Sequence, residues 1–78
     1  MKQISGEIVG SQIANIPNTN LGYGYITIET LDSKYVKIKV DAKTKYETVE
    51  RGERVTVQYD IFGKTDILSA KKISRRTQ

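Results

Sequence analysis

The chain has 78 residues, 37% of them hydrophobic and 28% charged, a formal net charge of +4, and no Cys, His or Trp. One domain is the ceiling at this length, and the missing side chains remove thiolate chemistry, disulfides, histidine-based triads and the usual zinc sites together. No pair of carboxylates is spaced for general acid/base work, so neither an enzyme nor a bound metal or cofactor is expected.

Charge is unevenly distributed. Residues 1–70 carry nine Lys/Arg against nine Asp/Glu, so the whole excess sits in Lys71, Lys72, Arg75 and Arg76. A basic segment of this kind neutralises phosphate without reading sequence, and it serves equally well as a solubilising tail. No apolar run approaches the roughly 18 residues of a membrane span. The opening Met1-Lys2-Gln3-Ile4-Ser5-Gly6 lacks the apolar stretch of a signal peptide, and a cytoplasmic location away from membranes is expected.

The first predicted strand runs from Gln3 to about Ile16, with Ile4, Gly6, Ile8 and Gly10 on one parity and Ile13 on the other. The switch implies a bulge near Gly10-Ser11, the device by which one long strand bends to serve both halves of a small barrel. Asn15-Ile16-Pro17-Asn18-Thr19-Asn20 is a turn-rich loop.

The second strand spans Gly22 to about Thr30 and opens on Leu21-Gly22-Tyr23-Gly24-Tyr25-Ile26-Thr27-Ile28. Residues of equal parity share a face, so Tyr23 and Tyr25 stand together outside while Ile26 and Ile28 point into a core. The third strand, Tyr35-Val36-Lys37-Ile38-Lys39-Val40, alternates in the same way: Val36, Ile38 and Val40 face in, and Tyr35, Lys37 and Lys39 face out. Paired aromatics among lysines on a strand face form a stacking platform for unpaired bases. The plainer reading is that glycine relieves strand curvature, tyrosine has high β-propensity and lysine blunts a strand edge against aggregation.

Ala42 to Arg51 is too polar for a buried strand, and Tyr46 and Val49 at i, i+3 spacing leave room for one helical turn plugging the barrel bottom. A fourth strand opens at Gly52, with Val55, Val57 and Tyr59 on one side and Arg54, Thr56 and Gln58 on the other. Residues 60–66 form the next turn and carry Phe62 and Lys64; Ile67 to Ile73 is the fifth strand. Tyr46 and Tyr59, in step with inward valines, read as core or barrel-end residues.

The expected fold is therefore all-β: a small five-stranded OB-type barrel with one short helical turn between strands three and four, occupying residues 1–74, followed by a basic C-terminal tail at 75–78. An SH3-like barrel is the structural competitor. Barrels of the OB type bind oligonucleotides on the face of strands two and three and at the flanking loops. On that basis the candidate nucleic-acid-binding residues are Tyr23, Tyr25, Tyr35, Lys37, Lys39, Phe62 and Lys64, with Lys71, Arg75 and Arg76 as phosphate contacts.

The segment Leu21-Gly22-Tyr23-Gly24-Tyr25-Ile26-Thr27 resembles the first ribonucleoprotein motif of cold-shock domains, in which Lys-Gly-aromatic-Gly-aromatic-Ile presents two aromatics to bases. Gly6-Glu7-Ile8-Val9 looks like that family's opening strand, and Gly52-Glu53-Arg54-Val55-Thr56-Val57 with Ser69-Ala70-Lys71-Lys72-Ile73 looks like its closing half. The resemblance implies that Tyr23 and Tyr25 stack on bases. Gly10-Ser11-Gln12 stands where the family has an aromatic pair, and Val36-Lys37-Ile38-Lys39-Val40 stands where it has an aromatic- and His-containing strand. Sequence specificity and RNA chaperone activity are accordingly not carried over. The expected partner is single-stranded RNA or DNA; the alternative is a protein-interaction or assembly module with no nucleic-acid role.

Overall fold

The computed structural model describes residues 2–18, 22–61 and 67–76. Among the described residues six strands occur in chain order: β1 (Lys2–Asn15), β2 (Gly22–Thr30), β3 (Tyr35–Val40), β4 (Lys45–Tyr46), β5 (Arg54–Ile61) and β6 (Leu68–Arg75). β1 pairs antiparallel with both β2 and β5, β2 with β3, and β5 with β6. A parallel pairing of β3 with β6 through Ile38↔Leu68 and Lys39↔Ser69 closes the circuit. The result is a closed five-stranded OB-type barrel with β4 as an extra short strand against β6. The long first strand shared by both halves and the parallel closure set aside the SH3-like alternative.

Alternation builds the core. Ile8, Ile26, Ile28, Ile38, Val40, Val55, Val57, Ala70 and Ile73 are buried, and Ile4, Ile13, Val36, Tyr46, Val49, Tyr59 and Leu68 pack around them. β1 serves two partners because it changes phase: Glu7 and Ile8 pair with Glu29 and Ile28, Gly10 pairs with Thr27, and Val9 is left over as the bulge. Ile8 and Ile13 thereby both reach inward from one strand.

Two sequence expectations are corrected between residues 41 and 61. No helical turn forms between β3 and β5; the connection is made of turns around β4, with Lys45 and Tyr46 pairing in parallel with Lys72 and Ile73. Hydrogen bonding explains the preference. Asp41 accepts from the Lys43 and Thr44 amides, and the buried Thr44 hydroxyl donates to the Ala70 carbonyl over 2.7 Å, so this segment's polar groups are satisfied by turns and by β6. Tyr46 still lies against the core, as its apolar ring requires. Asp60 and Ile61, expected in a turn, instead extend β5, where they pair with Ser69 and Leu68.

β6 also runs further than expected. Arg75 pairs with Val55, its amide donates to Glu47 Oε1 over 2.6 Å, and the Arg76 amide donates to the Arg54 carbonyl over 2.8 Å. The first two residues assigned to a tail are tied to the barrel.

Candidate nucleic-acid interface

The outward face of β1, β2 and β3 can be followed row by row. Ala14 lies opposite Tyr23; Gln12, Tyr25 and Lys39 form the next row; Gly10, Thr27 and Lys37 the third; and Glu7, Glu29 and Tyr35 the fourth. Tyr23 is 50% exposed and Tyr25 38%, while Ile26 and Ile28, which follow them in β2, are fully buried.

Gly24 sets this arrangement. Its φ is +143°, and a Cβ there would collide with the Gln12 carbonyl oxygen, so β1 approaches β2 at this point only because position 24 has no side chain. Gly24 is thus architectural, required by the close approach of β1. The two tyrosines gain no burial from that architecture and remain on the surface.

Lys37 is placed by register. It stands one row from Tyr25, diagonal to it across the β2/β3 pair, a separation that long side chains span. Its Nζ lies 4.5 Å from the centroid of the Tyr25 ring, a cation–π contact. The aromatic and the cation therefore form one unit on the sheet surface.

Sequence reading missed Arg51. It lies outside every strand, but the Gly52 amide donates to the Ile8 carbonyl over 2.7 Å and the Ile8 amide to the Glu53 carbonyl over 2.9 Å, which pins the turn before β5 against the β1 bulge. Arg51 consequently borders a shallow hollow of about 360 Å³ with Val9, Gly10, Ser11, Gln12, Tyr25, Thr27 and Lys37. The hollow offers a ring, two cationic side chains and the hydroxyl and amide groups of Ser11, Gln12 and Thr27. The one signal for Arg51 in the sequence is the Arg-Gly step beside a predicted strand, and its meaning depends on a partner 43 residues earlier.

The remaining candidates separate by position. Lys39 shares the row of Tyr25. Tyr35 is exposed but stands two rows away, about 13 Å at 3.3 Å per residue, beside Glu29. Lys71 and Arg75 belong to β6, off the β1–β2–β3 face, and Arg75 Nε lies 3.5 Å from Glu53 Oε1; Arg76, just past β6, borders a second hollow with Glu7 and Glu29 of the fourth row and with Arg54. Phe62 and Lys64 lie outside the described residues.

At the tip of the β2/β3 hairpin, Asp32 accepts from the Thr30 hydroxyl and lies 3.6 Å from Lys34 Nζ. The Thr30 hydroxyl first, with its own backbone amide and the Lys34 charge after it, holds the Asp32 carboxyl below its ordinary value. Among the described residues no three acidic side chains converge where they could hold a metal ion, and no helix is long and apolar enough to cross a membrane. No family model, curated protein or solved structure matches this chain.

Proposed function

We propose that this protein is a small non-catalytic module that binds single-stranded nucleic acid on the outer face of β1, β2 and β3. The observation that carries the reading is the Lys37 ammonium held 4.5 Å from the Tyr25 ring on an outward sheet face, with Arg51 lining the same hollow. A ring with cations beside it suits a base and its phosphates: the base stacks, and Lys37, Lys39 and Arg51 neutralise the backbone. Tyr23 continues the platform by one further row, and the likeness of Gly22-Tyr23-Gly24-Tyr25 to the cold-shock motif points the same way.

The test is a fluorescence-anisotropy titration of labelled mixed-sequence oligonucleotides, RNA and DNA. Replacing Tyr25 with Ala weakens binding by about 1 to 3 kcal/mol, and Tyr23→Ala acts in the same direction. Unchanged affinity in both variants would refute stacking.

The competing reading, a protein-interaction module, draws on a different part of the surface. Leu31 at the β2/β3 turn is 84% exposed beside a hollow lined by Ile4 and Val36, and exposed apolar groups of this kind serve protein contacts. On that reading Leu31→Ser abolishes a self-association seen by sedimentation, and the tyrosine variants do not.

A further inference from the structure

The barrel has another outward face, on the side formed by β5, β6 and β4. One row crosses it from Gln3 through Gln58 and Lys72 to Lys45, and the next runs from Ser5 through Thr56 to Ser74. Their neighbours along the strands, Ile4, Val57, Ile73 and Tyr46, are buried or pack against the core, which turns both rows to the surface. Neither row holds a carboxylate or an aromatic ring. β6 bulges here: Gln58 pairs with Lys72 and Tyr59 with Ala70, so Lys71 is left over, and both lysines are exposed between the buried Ala70 and Ile73. Lys45 is in register with Lys72 on the adjoining strand, a backbone separation of about 4.8 Å. Among the described residues none of the three ammonium groups has an ion-pair partner. Of the acids nearest in register, Glu47 is turned onto the Arg75 amide over 2.6 Å, and Asp60 stands one row further along β5.

We propose that the outer face of β5, β6 and β4 is a second nucleic-acid contact, which holds phosphate backbone through Lys45, Lys71 and Lys72 and reads no base. The inference rests on the nucleic-acid reading above and extends it to another side of the barrel. The chemistry of the two rows selects the ligand. Lysines flanked by hydroxyls and amides are the side chains that contact phosphate and sugar, and Gln58, Thr56 and Ser74 supply those groups beside Lys72. A protein partner is a poor match, because the centre of a protein interface is depleted of lysine and built on aromatic residues, which these rows lack. A membrane contact through basic side chains alone draws on clusters of about four to eight Lys/Arg, and an inserting one needs apolar side chains that neither row offers. Three cations with no ring among them suit the backbone of a strand whose bases are held elsewhere. The Tyr25 platform supplies that other hold, so a strand long enough to reach both faces gains affinity from each. Like charges side by side also repel one another, and bound phosphate removes that cost.

The experiment titrates labelled oligothymidylates of about four and about twenty residues against the intact protein and its K45Q/K71Q/K72Q variant, at about 50 and 200 mM salt. The short strand carries only as many phosphates as the tyrosine face takes up. The long one, at about 3.4 Å per residue, exceeds the 38 Å length of the molecule and reaches both faces. The variant is expected to bind the short strand within about twofold of the wild type, which also reports that its barrel has folded. On the long strand it is expected to bind at least about tenfold more weakly at low salt, with a salt slope flattened by about 2, roughly 0.7 for each lysine. Lys72→Gln alone flattens that slope by about 0.7. An unchanged slope on the long strand overturns the second contact and spares the tyrosine site; loss of binding to phosphatidylserine vesicles by the same variant would then assign the face to a membrane. Flattening on the long strand, with Tyr25→Ala unimpaired on the short one, keeps the second contact and overturns stacking. Absence of binding to either strand by the wild type overturns both.

Discussion

Position 24 tolerates no side chain, since its positive φ and the Gln12 carbonyl above it each oppose a methyl group. Gly24→Ala is expected to lower unfolding stability by about 1 to 3 kcal/mol, read from urea denaturation, with loss of binding following from displacement of both tyrosines. Lys37 plays a different part. As a surface cation it contributes little to folding, a cation–π contact at such a site being worth about 0.5 to 1 kcal/mol. Lys37→Met should leave the unfolding midpoint nearly unchanged. It should weaken binding at low salt and lessen the steepness of the salt dependence by about 0.7, the share of one phosphate on a single strand. Tyr25 and Lys37 thus separate by experiment although they touch: loss of the ring lowers affinity at every salt concentration, and loss of the ammonium lowers it mainly at low salt.

Among the elements, those built on alternation were legible. Val36, Ile38 and Val40 face inward and Tyr35, Lys37 and Lys39 outward, as their spacing dictates, and the parity change between Ile8 and Ile13 located the β1 bulge to within a residue or two. The segment from Asp41 to Glu53 was not legible, because its partners are distant in sequence: β4 exists through Lys72 and Ile73, Thr44 through Ala70, and the placement of Arg51 through Ile8. Removing the Thr44 hydroxyl tests that account. Thr44→Val leaves the Ala70 carbonyl and the Asp41 amide without their buried partner, and it should cost about 1 to 3 kcal/mol in unfolding stability. The β2/β3 turn carries a pH-dependent contribution. Because the Asp32 carboxyl is held below its ordinary 3.8 in the folded chain, its stabilisation is present above that pH and disappears as pH falls through the lowered value. Asp32→Asn should therefore narrow the stability gap from wild type as the solution is acidified below 3.8, measured by denaturation across that range.

Across the whole molecule, charge and stability pull on different surfaces. The excess cations that dominate the sequence are gathered on β6 and its end, where Arg75 meets Glu53 and Arg76 borders Glu7 and Glu29. The proposed site draws instead on Lys37, Lys39 and Arg51, which a count of net charge does not distinguish. Three phosphate contacts on a single strand give a salt slope near −2, so raising salt from about 50 to 200 mM should weaken binding roughly 20-fold. A much steeper dependence would mean that the β6 cations also contact the strand.

β1 divides at its bulge into halves with separate duties. Lys2 to Glu7 is sandwiched between β2 and β5 over part of its length, whereas Gly10 to Asn15 pairs only with β2 and supplies none of the fully buried side chains; Tyr23, Gly24 and Tyr25 opposite supply none either, although Gly24 and Tyr25 also pair with β3. Side chains exposed on this ribbon can therefore be exchanged while the barrel beneath stays intact. Affinity and ligand preference of the proposed site are free to drift, or to be engineered, on a surface that is attached to the folding unit without being part of its heart.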